Sequence, residues 1–160
     1  MATNPKKTEK STTLKIEKIR NGIAIDHIKQ GKAPDVLRIL GIDENFNDVV
    51  AVAINVPSKI LGRKDIVKVE NRDLNGKETN KIAIISPNAT INKIRDYKVV
   101  EKYKVSPPDE IIGTINCPNP NCVTNKFHEP IVSKFHVKSR KPLILSCAYC
   151  ERELKGDEIH

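Results

Sequence analysis

Residues 117–150 read CPNPNCVTNKFHEPIVSKFHVKSRKPLILSCAYC, and the four cysteines of that stretch decide how the C-terminal third of the chain can fold. Cys117 and Cys122 are separated by four residues, Cys147 and Cys150 by two, and 24 residues lie between the pairs. A close pair presents two thiolates to one ion from a tight turn, and a second pair from a distant loop completes a tetrahedron. Four thiolates leave no open coordination position, so the pattern points to one structural zinc ion per chain, not a catalytic one. The chain has no other cysteines. His128 and His136 lie between the pairs and offer alternative ligands, although the two cysteine pairs are complete without them.

Just upstream, Pro107-Pro108 stiffens the chain and cannot join a sheet ladder, which suits a linker. A boundary after residue 105 leaves 106–160 as a segment too small for a free-standing core, so a metal staple is expected there. Before the boundary the chain is rich in β-branched residues. Isoleucine occurs 21 times, against three Phe, three Tyr and no Trp, and that balance favours strands.

Residues 14–28 alternate around Asn21-Gly22, a hairpin signal. GKAPDVLRILG, 31–41, carries Pro34 near its start and Gly41 past its end, marking a short helix. Residues 48–56 form an apolar run that Pro57 is expected to stop, and 64–70 alternate again. Residues 71–80 are polar and turn-like, leading toward a short helix. Residues 81–86 and 89–95 are expected as strands about a Pro87-Asn88 turn, followed by a strand over 98–105.

The formal charge is +8, and all of it lies before the boundary: residues 1–105 hold 21 Lys and Arg against 13 Asp and Glu, whereas 106–160 hold seven of each. A basic N-terminal part suggests an anionic ligand, nucleic acid or a phosphorylated small molecule. Residues 1–13 lack the apolar stretch of a signal peptide and have nothing to bury, so a disordered tail and a cytoplasmic protein are expected. The longest apolar run, Val49–Ile54, is too short to cross a bilayer. A reducing compartment favours metal over disulfides.

Taken together, IDHI at 25–28, GRKDIVKVEN at 62–71, PNATINKIRDYKVV at 87–100 and CPNPNC…CAYCE at 117–151 resemble the regulatory chain of aspartate carbamoyltransferase, in order and over nearly the whole chain, from about Leu14 to Leu154. The resemblance implies an α+β architecture: an N-terminal antiparallel sheet with two helices on one face over 14–105, plus a small C-terminal β-rich zinc domain over 106–160. It implies a non-catalytic subunit of pyrimidine biosynthesis that binds CTP, ATP and UTP as allosteric effectors. Regulatory chains of that family pair as homodimers and dock through the zinc domain on the catalytic chain.

The effector positions that the resemblance carries over are Ile16, Glu17, Lys18 and Ile19 beside the base, Asp26 and His27 near ribose and phosphates, Lys64 and Lys68, then Asn92, Tyr97, Val99 and Lys102. Three ammonium groups suit a triphosphate as point charges. On a regular strand, Asp26 and His27 would point to opposite faces. The chain departs from familiar members at Ala24, where a larger residue is expected.

Two other functions compete. A zinc-ribbon protein that binds nucleic acid would also be basic, but here the cysteine segment is formally neutral and aromatic stacking residues are few. An enzyme would need a catalytic device, and the sequence has no Gly-rich phosphate loop, nucleophile elbow or HExxH.

Overall fold

Ile23, Ile25 and Ile28 lie fully buried along β1 (Gly22–Lys29), and the first sheet is built outward from them. The computed structural model describes residues 18–128 and 130–159, so Ile16, Glu17 and the expected tail over 1–13 fall outside the described residues. β1 is followed by α1 (Ala33–Ile39), β2 (Val50–Ser58), β3 (Gly62–Glu70), α2 (Gly76–Ile85), β4 (Thr90–Arg95) and β5 (Lys98–Lys104). The five strands form one antiparallel sheet in the order β2-β3-β1-β4-β5. Ile23 and Ile25 of β1, Val67 and Val69 of β3 and Ile91 of β4 share one buried cluster with Ala33, Val36, Ile82 and Ala83 of the helices. Both helices therefore cover the same face. Among the described residues, the other face carries a small cluster of Ile19, Ala24 and Ile94.

Asp65, the acidic residue of the GRKD stretch, is fully buried on the helix side. Its Oδ2 accepts the backbone N–H groups of Gly31 and Ala33 at 3.0 and 3.1 Å, and its Oδ1 accepts that of Asn55 at 3.1 Å. One carboxylate thus joins the entry of α1 to a bulge in β2, where Asn55 has φ 62°. Three charge-assisted bonds offset the cost of burying the ion.

Three expectations need correction. Asn21-Gly22 does not turn a hairpin: both edges of β1 are taken, by β3 and β4, so no earlier segment can pair with it. Glycine is required there because a Cβ at Gly22, φ 149°, would stand 2.1 Å from the Val69 carbonyl oxygen. Pro57 does not stop β2, which runs on to Ser58, because β2 is an edge strand where a missing N–H costs no ladder bond. Residues 81–85 are helix and not strand. The Asn75 side chain accepts the Glu78 N–H at 2.8 Å and Glu78 reaches back to the Asn75 N–H, a capping box that starts α2 despite its isoleucines.

The C-terminal part forms a second antiparallel sheet from β6 (Glu110–Ile112), β7 (Lys134–Arg140), β8 (Leu143–Cys147) and β9 (Glu153–Lys155), in chain order. Phe135 is fully buried beneath it. Pro107 and Pro108 lie between β5 and β6, outside both sheets, and Arg140 donates to the Pro107 carbonyl at 3.2 Å. The buried apolar residues of the two parts are contiguous, with Ile84 and Ile85 of α2 in the same cluster as Ile111, Ile115, Leu143 and Ile159. No helix among the described residues is long and apolar enough to cross a membrane.

Candidate metal centre and effector face

Cys117 and Cys122 lie on the loop between β6 and β7, Cys147 ends β8, and Cys150 lies on the turn into β9. The chain thereby brings all four sulfurs within 4.8 Å of one another. The Cys117–Cys150 and Cys122–Cys147 Sγ pairs are 3.6 and 3.7 Å apart. A disulfide would need about 2.05 Å. A tetrahedral zinc with Zn–S near 2.3 Å requires sulfurs about 3.8 Å apart, so the four fit one zinc ion.

Backbone geometry holds the cage. Cys122 N–H donates to the Asn119 carbonyl at 3.0 Å, and the Asn125 side chain donates to the Cys117 and Asn119 carbonyls at 2.7 and 2.8 Å. Glu151, at φ 63°, closes the second turn by donating its N–H to the Cys147 carbonyl at 3.0 Å. Burial pushes the Cys117 thiol up to about 12. The Arg152 N–H aimed at its sulfur brings Cys150 down to about 6. Burial opposes ionisation of Cys122, but donation from the Thr124 hydroxyl at 3.2 Å and the Thr124 N–H leaves its pKa lowered. Donors to sulfur of this kind orient ligands and temper thiolate charge in a metal site. The histidines lie elsewhere: His136 faces Glu110 at 3.6 Å and His128 stacks edge-on with Phe127.

The helix-free face of the first sheet gathers the carried-over effector residues. Strand register aligns Ala51, Lys68, Ala24, Asn92 and Lys102 in one row across all five strands. Cross-strand partners point to the same side, so Lys68, Asn92 and Lys102 share one surface with Ala24. In the next row Asp26 pairs with Thr90 and Thr90 with Lys104. Lys64 Nζ meets Asp26 Oδ1 at 2.9 Å. Burial alone would raise the Asp26 carboxyl, but Lys64 and the His27 N–H hold it below its ordinary value. Burial lowers the pKa of Lys68, and Lys18 adds to the lowering while Asp26 opposes it. Ile19 packs on Ala24 and Ile94, and the Arg20 carbonyl accepts the Tyr97 N–H at 2.9 Å. That contact fixes segment 18–20 over the face. Tyr97 and Val99 stand exposed at its rim.

His27 departs from expectation. It is not opposite Asp26, because a bulge between Ile25 and Ile28 puts His27 at φ 54°. Its Nδ1 lies 4.0 Å from Asp26 Oδ2 and 3.4 Å from Thr90 Oγ1, on the same side. It lines a pocket of about 310 Å³ with Thr90, Lys102 and Lys104. Thr90 and Lys104 were not singled out in the sequence, although Lys104 follows Lys102 at the two-residue period of a strand.

Each of the two parts matches a family model. Residues 14–106 match the family model described as "Aspartate carbamoyltransferase regulatory chain, allosteric domain", and residues 109–160 match "Aspartate carbamoyltransferase regulatory chain, metal binding domain". The chain is similar to the aspartate carbamoyltransferase regulatory chain of Thermococcus gammatolerans, with 57% identity over 146 residues, 91% of this chain and 95% of that one. The regulatory chain of Staphylothermus marinus is 56% identical over 144 residues, 90% and 88% of the two chains. That of Methanopyrus kandleri is 47% identical over 146 residues, 91% and 93%. The chain belongs to the family of aspartate carbamoyltransferase regulatory chains, with that family's allosteric and metal-binding domains.

Proposed function

We propose that the chain binds CTP and ATP, with UTP as a further effector, on the helix-free face, and that it carries this signal to the catalytic chain without catalysing a reaction itself. The observation that supports this most directly is the single row of Lys68, Asn92 and Lys102. Lys68, Lys102 and Lys64 supply positive charge for a triphosphate. Asp26 offers an acceptor for a ribose hydroxyl, and segment 18–20, anchored by Ile19, forms a wall for the base. Residues 14–105 act as the effector domain and 106–160 as the docking domain, joined at Pro107-Pro108. Cys117, Cys122, Cys147 and Cys150 hold one structural zinc, which keeps the docking loops rigid. Asn119, Asn121 and Glu151 lie on those loops and meet the catalytic chain. Two copies pair through β2, an edge strand with Val52 and Ile54 exposed. The role belongs to pyrimidine biosynthesis in the cytoplasm.

Calorimetric titration with CTP tests the site. Lys68→Ala and Lys102→Ala each remove a charge-assisted phosphate contact and are expected to weaken binding by about ten- to a hundredfold. CTP affinities equal to the parent in both variants would show that the nucleotide binds elsewhere.

A further inference from the structure

An open cavity of about 900 Å³ lies between the two sheets, and neither the four cysteines nor Lys68, Asn92 and Lys102 are among its lining residues. Its floor is apolar, with Ile85 of α2 and Leu143 of β8 only 9% and 4% exposed. Its rim is cationic: Lys29 ends β1, Arg63 is the second residue of β3 and Lys155 ends β9. No Asp or Glu is among the described residues lining it, and none of these three cations joins an ion pair among the described residues. Of the chain's seven arginines, Arg20, Arg38, Arg72, Arg95 and Arg140 each meet a carboxylate. Arg63 is steadied only by donating from Nη1 to the Asn55 carbonyl at 2.9 Å, which leaves most of its donor fork facing outward.

Three like charges drawn from separate elements to one concave rim raise the local potential and focus it on the cavity. We propose that this seam is a second anion site, taking a small compound that joins a phosphate or diphosphate group to an apolar body. The volume lies within the range of ligand pockets, and an apolar floor with a few polar groups is their usual composition. Because the rim spans both sheets, a bound anion ties β9 to β1 and β3. It thereby opposes any change in the angle between the effector part and the metal-binding part. Asn88 lines this cavity and also the smaller pocket beside His27 and Lys102. One side chain is thus a shared wall, and occupancy of the seam is felt at the effector face.

The test is two-dimensional proton–nitrogen NMR of the full, zinc-loaded chain titrated with inorganic pyrophosphate. The backbone amides of Gln30, Ile144 and Gly156, which line the seam and not the pocket beside His27, are expected to shift together in one saturable process. Arg63→Ala and Lys155→Ala are each expected to weaken that process by about tenfold, a typical loss for one charge-assisted contact. Shifts at Ala24 and Asn92 report the helix-free face separately, so failure at one site is distinguishable from failure at the other. The proposal is overturned if the seam amides stay still, or if sodium chloride at matched ionic strength moves them equally. It is also overturned if both variants titrate like the parent.

Discussion

Asp65 accepts three backbone N–H groups from two separate segments while fully buried, so replacing it removes more than one contact. Asp65→Ala strands three donors and opens the joint between α1 and β2. The expected loss is about 3 kcal/mol or more, read as a lower urea midpoint, and a loss under about 1 kcal/mol would mean that water re-satisfies those groups. Lys68 raises a different question, because burial lowers its pKa below the ordinary 10.5. A bound triphosphate favours the ammonium form, so it must raise that pKa again. CTP binding is therefore expected to take up protons as pH nears the lowered pKa, and affinity is expected to fall as pH rises through it. Calorimetry over a rising series of pH values, each in two buffers of different ionisation heat, measures the uptake, and Lys68→Ala reduces it. Equal heats in both buffers for the parent would contradict this assignment. Residue identity was legible here only in part. The lysines of the effector face stand at a two-residue period that any strand would show, whereas the burial of Asp65 depends on segments 10 and 34 residues away, which no local pattern encodes.

At the scale of elements, β2 is an edge strand with apolar side chains in the open: Val52 and Ile54 are 39% and 51% exposed. Such an edge invites pairing with a second strand. Ile54→Lys is expected to leave the fold intact, since the side chain faces outward, and to convert a dimer to a monomer in sedimentation equilibrium. A variant that stays dimeric moves the interface to another surface. The elements themselves were unevenly legible. β1 and β3 follow from alternation, β4 and β5 from the Pro87-Asn88 and Asp96-Tyr97 turns before them, and α1 from Pro34 and Gly41. The second helix was misread over 81–86 because isoleucine favours strands, yet Asn75 and Glu78, three apart, form the capping box that outweighs that preference. Asn21-Gly22 misled for a related reason: the dipeptide suits a hairpin, but Gly22 serves the close approach of β3 instead. The cysteine pairs were fully legible, since four thiolates at close spacing have few other uses in an undersized sheet.

Over the whole molecule, the metal cage and the effector face are separated by the helix layer, and the two parts share a buried cluster through Ile84, Ile85, Ile111 and Ile115. That arrangement predicts an asymmetric response to metal removal. Structural zinc contributes on the order of 10 kcal/mol in small zinc peptides. The short strands β6 and β9, three residues each, cannot replace it. Chelation or Cys147→Ala is therefore expected to abolish hydrogen-exchange protection over 110–155. The helix-free face is on the far side of the first sheet from the shared cluster, so CTP affinity is expected to change by less than about threefold, under 1 kcal/mol. A mixture with catalytic chains is then expected to fall apart, and catalytic activity to persist without nucleotide control. Thermodynamic reciprocity makes the same prediction from the other side: if zinc barely alters CTP affinity, CTP barely alters zinc affinity. A large loss of CTP affinity on chelation would instead make the shared cluster the coupling element. Substitutions at Ile84 or Ile115 would then reduce the effect of zinc on nucleotide binding, whereas under the present scheme they lower stability and leave that small coupling unchanged.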